Sequence, residues 1–148
     1  MKLDEVDKSI LQKLVGNGRV TYSELAEEVG LSSSGVKRRV DLLEEEGVIK
    51  DYTARLDPKK AGYGVTAFLN IDVRSGEAGR VAGALTRCKG VCEVHRTTGN
   101  HGLMVKVRAE DRNEISEFVE ERVGNYQGVR DVNITMTMKT YKEDSLSI

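Results

Sequence analysis

The chain has 148 residues, 39% hydrophobic and 32% charged, with a formal net charge of −1. That length holds one or two small domains with real cores, and the composition is globular rather than disordered. No apolar run is long enough to cross a membrane, and the acidic opening MKLDEVDKS lacks the hydrophobic region of a secretory signal. Cys88 and Cys92, the only cysteines, make neither a disulfide scaffold nor a convincing zinc site, so a cytoplasmic location is expected.

A first helix is predicted after Asp4 as cap, with Val6, Ile10, Leu11 and Leu14 as its apolar stripe and Gly16-Asn17-Gly18 as its end. A second opens on the capping box Thr21-Tyr22-Ser23-Glu24, flanked by Val20 and Leu25 at staple positions, and stops at Gly30. Ser32 caps a third helix, with Leu31 and Val36 as its staple and Val36, Val40 and Leu43 recurring at i, i+4 and i+7 on the inner face. Helices two and three with their tight turn read as a helix-turn-helix, whose second helix enters the DNA major groove. Ser33, Ser34, Lys37 and Arg38 are left on its outer, N-terminal part, the end that touches base edges. Arg39 and Lys50 are expected near phosphates. After Gly47, Val48 to Leu56 reads as a short strand, a wing beside the helices. The bland alternative is a generic three-helix bundle whose basic residues are merely solvated.

The near-neutral balance limits how this module can work. A protein that held DNA by bulk electrostatics would be strongly basic. Here the positive charge is local, one module binds weakly, and several modules joined by oligomerisation gain through effective concentration. An oligomer is therefore expected.

The one proline, Pro58, lies in the polar, glycine-bearing stretch from residue 57 to 64, which reads as a linker between residues 1–56 and residues 65–148. Beyond it the period changes. Val65, Ala67, Leu69, Ile71 and Val73 alternate with polar neighbours as a strand. A helix opening at Ser75-Gly76 carries Val81, Leu85 and Cys88 on one face. Strands follow over Val91 to Thr97 and Leu103 to Ala109, joined by a turn from Thr98 to Gly102. Asp111 to Glu114 is a capping box for a helix presenting Ile115, Phe118, Val119 and Val123. The last strand runs through Val132, Ile134, Met136 and Met138. GVCEVH at Gly90 is echoed by GVRDVN at Gly128, each after a helix, so two units in tandem give βαββαβ, the ferredoxin-like arrangement. The fold class is thus α+β: an N-terminal winged helix-turn-helix joined to a C-terminal ferredoxin-like domain. Helices cover only one face of such a sheet, and Phe68 and Met104 are candidates to meet a second subunit on the other. Alternatively they are scattered surface residues.

The N-terminal half, and above all Leu31-Ser32 through Arg39 followed by LLEEEGVI from Leu42, resembles the leucine-responsive regulatory protein (Lrp/AsnC) family of transcription regulators. The second half resembles that family's effector and oligomerisation domain more loosely, with Thr98-Gly99 at the turn between the central strands. The resemblance implies a homodimer formed through the C-terminal sheets, assembly into tetramers or octamers, double-stranded operator DNA as partner, and no cofactor. It also implies a free amino acid as effector near Thr98, Gly99, Asn100, His101 and Gly102. Members often carry aspartate where this chain has Gly102, which removes a carboxylate expected to hold the ligand's ammonium group; Asn100, His101, Asn133 and Thr135 are the candidate substitutes. The plain reading of the turn is a hairpin in which Gly99-Asn100 serves backbone geometry alone. His101 is either an effector contact or a solvated loop residue, and His95 reads as a structural or interface residue.

Two other function classes are open to this plan. Siroheme decarboxylases resemble these regulators, but need basic and histidine side chains lining a large pocket; this chain has two histidines and keeps the serines and basic residues of a DNA-reading helix. No Ser-His-Asp set, phosphate loop or metal cluster is written in the sequence, so no enzyme is expected. The second alternative is a small-molecule regulatory module that does not touch DNA, which the neutral net charge favours.

Overall fold

The computed structural model describes residues 2–99, 102–144 and 146. The elements run α1 (Glu5–Gly16), α2 (Tyr22–Val29), α3 (Ser33–Glu45), β1 (Val65–Val73), α4 (Ala78–Leu85), β2 (Val91–Arg96), β3 (Leu103–Ala109), α5 (Arg112–Glu117) and β4 (Val129–Met136). They form two compact units. One comprises residues 1–55 with the C-terminal residues from Lys142; the other runs from Leu56 to Tyr141.

In the first unit each helix starts where its cap dictates. Asp4 accepts from the amide of Asp7, whose carboxylate accepts from the amide of Asp4. Thr21 and Glu24 form the equivalent reciprocal box on α2, and Ser32 Oγ accepts from the Gly35 amide at 3.1 Å. Gly30 ends α2 at φ 68°, a left-handed turn that sends α3 across α2. The core is Ile10 and Leu11 of α1, Leu25 and Ala26 of α2, and Val36, Val40 and Leu43 of α3. Val6 and Leu14 are partly buried against it, and Leu31 is 38% exposed.

The strand expected from Val48 to Leu56 does not form. The amides of Val48 and Ile49 turn back to the Leu43 carbonyl at 2.9 and 3.0 Å, and residues 50–57 have no ladder partner among the described residues. An extended segment without a neighbouring strand cannot satisfy the hydrogen bonds that define a sheet. Arg55 Nη1 in that segment meets Asp144 Oδ1 at 2.6 Å.

The second unit is a four-stranded antiparallel sheet of order β2-β3-β1-β4, a ferredoxin-like βαββαβ arrangement with β1 and β3 central and β2 at an edge. Ala67, Leu69, Ile71 and Val73 of β1 are buried together with Val81 and Leu85 of α4 and Ile115, Val119 and Val123 of the second crossover. That crossover continues from α5 through one π-helical turn, Phe118–Arg122, and a short 3₁₀ turn, Val123–Asn125. Its expected capping box is half-formed: Asp111 accepts from the Glu114 amide, but the Glu114 carboxylate takes the amide of Glu110 instead of that of Asp111. β4 ends at Met136, and Met138 beyond it is fully exposed.

Candidate nucleic-acid interface

Burial of Val36, Val40 and Leu43 fixes the rotation of α3 and leaves Ser33, Ser34, Lys37 and Arg38 exposed on the opposite side. At the N-terminal end, Ser34 Oγ lies 3.1 Å from Ser32 Oγ, and Ser33 Oγ lies 3.4 Å from Ser23 Oγ of α2. These hydroxyls donate or accept in turn, as contacts to base edges require. Lys37 Nζ pairs with Asp41 Oδ2 at 2.6 Å one turn on, and that carboxylate holds the lysine above its ordinary pKa. An exposed pair of this kind contributes little and exchanges readily for a phosphate. Arg38 makes no ion pair among the described residues. Lys50 is exposed just past the turn that follows α3.

Arg39 departs from its expected place. Its Nη1 lies 2.6 Å from Asp4 Oδ2 and 2.8 Å from Asp7 Oδ1, and Asp7 is 5% exposed. The guanidinium is turned toward the start of α1 rather than outward. The same hydrogen bonds lower the Asp4 carboxyl below its usual range, the Asp7 amide contributing most and Arg39 next. A lowered carboxyl stabilises the fold above its unfolded value and loses that contribution as pH falls through the lowered one, so Asp4 stays charged throughout the neutral range. The sequence does hold a sign of this. Asp7 sits three and four residues before Ile10 and Leu11, inside the apolar stripe of α1, and a carboxylate there requires a cation.

In the sheet unit, the amide of Thr97 donates to the Gly102 carbonyl at 3.2 Å, closing the turn between β2 and β3. Thr98 is exposed and Gly99 has φ 101°; Asn100 and His101 lie outside the described residues. Gly102 abuts the end of β1, where an added Cβ would sit 3.5 Å from Val73 Cβ, an ordinary contact. Asn133 and Thr135 are exposed on β4, opposite Asn70 and Phe68 of β1. Strand alternation puts them on the helix-free face together with Met104 of β3, so they stand two strands away from the turn. His95 also faces this side, 3.2 Å from Glu93, which in turn pairs with the buried Lys106 at 3.2 Å. Among the described residues there is no cluster of three or more potential metal ligands, and no helix is long and apolar enough to cross a membrane.

Comparison with known proteins agrees with this geometry. Residues 3–50 match the winged helix-turn-helix DNA-binding family, and residues 66–147 match the Lrp/AsnC ligand binding domain. The HTH-type transcriptional regulator FL11 of Pyrococcus horikoshii is 35% identical over 141 residues, 95% of this chain and 93% of the relative. A transcriptional regulator from Neisseria meningitidis, solved as an L-Met complex, superposes with a TM-score of 0.89 at 32% identity, covering 97% of this chain and 95% of that one. AsnC of E. coli, at 23% identity, shares the fold with a TM-score of 0.92 over 99% of each chain. The three-helix unit carries the DNA-binding motif, the sheet unit is the ligand-binding type, and the chain belongs to the Lrp/AsnC family of transcription regulators.

Proposed function

We propose that this regulator reads its operator with the outer face of α3, Ser33, Ser34, Lys37 and Arg38 addressing the major groove and Lys50 a flanking phosphate. The observation that carries this is the single rotation of α3 that buries Val36, Val40 and Leu43 while leaving Arg38 without a carboxylate partner among the described residues. A near-neutral chain with so small a basic patch gains affinity by presenting two or more copies, so the working form is a homodimer or larger assembly on a palindromic site in the cytoplasm. The half-buried Phe68 and exposed Met104 on the helix-free face support that face as the self-contact. An amino acid bound at the Thr98–Gly102 turn modulates the assembly. Support for that comes from the L-Met bound to the Neisseria relative.

The test is fluorescence anisotropy on the gene's own upstream DNA against scrambled DNA, over a salt series, with and without a mixture of the twenty amino acids. Arg38→Ala is expected to weaken binding to the native fragment by about 1–3 kcal/mol and to erode the preference over scrambled DNA. An equal loss on both DNAs would make Arg38 a phosphate contact. Absence of any preference in the parent protein would favour a module that acts without DNA contact.

A further inference from the structure

We propose that Arg39 is a positioning residue for DNA recognition. It fixes the angle of α3 through the start of α1 and does not itself hold a phosphate. This rests on the reading of α3 as the groove-facing helix. Each carboxylate oxygen at the N-terminus of α1 has one partner in the network. Asp4 Oδ1 accepts the Asp7 amide at 2.8 Å and Asp4 Oδ2 accepts Arg39 Nη1 at 2.6 Å. Asp7 Oδ2 accepts the Asp4 amide at 3.0 Å and Asp7 Oδ1 accepts the same Nη1 at 2.8 Å. One guanidinium nitrogen therefore bridges both halves of a capping box, and Asp7 is almost entirely buried.

The bridge has a direction. On α3, Arg39 is one residue before the buried Val40 and three after the buried Val36, so it leaves the helix at the flank of the apolar stripe, on the side facing α1. Arg38, one position earlier, points away from the core. The apolar cluster fixes the separation of α1 and α3, but Val and Leu contacts tolerate small rotations. A planar, charge-assisted bridge to two carboxylates tolerates them less, because both distances and angles must be met together. Base readout by Ser33, Ser34 and Arg38 needs placement to within about 0.5 Å. Arg39 supplies that constraint from the far side of the helix.

The two roles for Arg39 predict opposite signs for one substitution. Asn is as good an N-cap as Asp, so Asp4→Asn preserves α1 while removing one of the two carboxylates. It also removes a negative charge from a DNA-binding unit. If Arg39 were a phosphate ligand, Asp4→Asn would free it and tighten binding. If Arg39 positions α3, Asp4→Asn loosens the helix and weakens specific binding.

The experiment measures anisotropy of the full chain on its upstream fragment and on scrambled DNA across a salt series, for the parent, Asp4→Asn and Arg39→Gln. Circular dichroism at the working temperature confirms that each is folded. The expected result is a loss of about five- to a hundredfold on the specific fragment for Arg39→Gln, the equivalent of one base contact, and a smaller loss for Asp4→Asn. Binding to scrambled DNA and the salt slope stay at parental values, which separates misplacement of α3 from mere loss of stability. Asp4→Asn binding as tightly as the parent or tighter overturns the proposal. So does a salt slope flattened by about one in Arg39→Gln with equal loss on both DNAs. Should Arg39→Gln fail to fold, Asp4→Asn alone decides. A parent protein with no preference for its own fragment removes the premise about α3, and is seen before any variant is compared.

Discussion

Leu43→Ala is expected to unfold the three-helix unit while the sheet unit stays folded, abolishing DNA binding. Leu43 is completely buried and packs with Val36 and Val40 of its own helix, Ile10 and Leu11 of α1 and Leu25 of α2. Truncating such a leucine costs about 2–5 kcal/mol through lost apolar burial and the cavity left behind. A unit of this size has only about 3–8 kcal/mol in total, on the usual per-residue scale. The loss also reaches the end of the helix, because the Leu43 carbonyl takes the amides of Val48 and Ile49 that turn the chain out of α3. The sheet unit has a separate core, centred on Leu69, Ile71, Val105 and Leu85, which shares no residue with the first. Amide hydrogen exchange distinguishes the outcomes. Protection should vanish over residues 5–45 and persist over 65–73 and 103–109; simultaneous loss in both regions would mean that the two cores unfold as one.

The elements that the sequence makes most legible are those whose signals are local and agree with one another. The Asp4 cap, the capping box at Thr21, the left-handed Gly30 and the Ser32 cap each fix a helix end within four residues, and the i, i+4, i+7 stripe of α3 fixes its rotation. The outer residues Ser33, Ser34, Lys37 and Arg38 follow from that rotation alone. Arg39 does not, because its partners lie 32 and 35 residues away, and no periodicity within α3 separates a flank that faces α1 from one that faces solvent. The expected strand over Val48 to Leu56 fails for a related reason. Its composition suits an extended chain, but a strand exists only with a partner, and partnership is not a local property. At the β2–β3 turn the backbone was legible from Thr98-Gly99. The relation of Asn133 and Thr135 to that turn depends on strand order, which places β1 between β3 and β4. Even so, the repeat of GV at Gly90 and Gly128 was a true signal: both glycines have positive φ immediately before an outer strand of the sheet.

Those two glycines should not respond alike to substitution, and Gly90→Ala is expected to be the more damaging. Gly90 has φ 83°, and a Cβ there would lie 2.5 Å from the Arg108 carbonyl oxygen. That oxygen belongs to β3, whose Arg108 amide donates to the Gly90 carbonyl at 2.8 Å and whose Arg108 pairs with Thr66 of β1. Relief therefore means moving backbone that is already paired on both sides. Left-handed strain of about 1–2 kcal/mol adds to an overpacking cost of about 1–3 kcal/mol, so a loss near 2–5 kcal/mol is expected in the sheet unit. At Gly128, φ is 93° and the Cβ would meet Glu77 Cβ at 2.7 Å, a side chain on the turn before α4. A Cβ moves only with its own backbone, so Glu77 must shift as well; it lies outside the sheet ladder, so the overpacking cost added to the backbone strain of about 1–2 kcal/mol is smaller than at Gly90. Gly83, inside α4, has ordinary φ and nothing within 4 Å of its Cβ position, so Gly83→Ala should stabilise the unit by about 0.5–1 kcal/mol. Denaturant unfolding followed by hydrogen exchange at β1 and β3 would rank the three. A ranking of Gly83→Ala above the parent, then Gly128→Ala, then Gly90→Ala identifies the close approach of Gly90 to β3 as the point where the first half of the repeat is locked to the sheet. Equal losses at Gly90 and Gly128 would mean that the paired strand β3 yields as readily as the turn before α4.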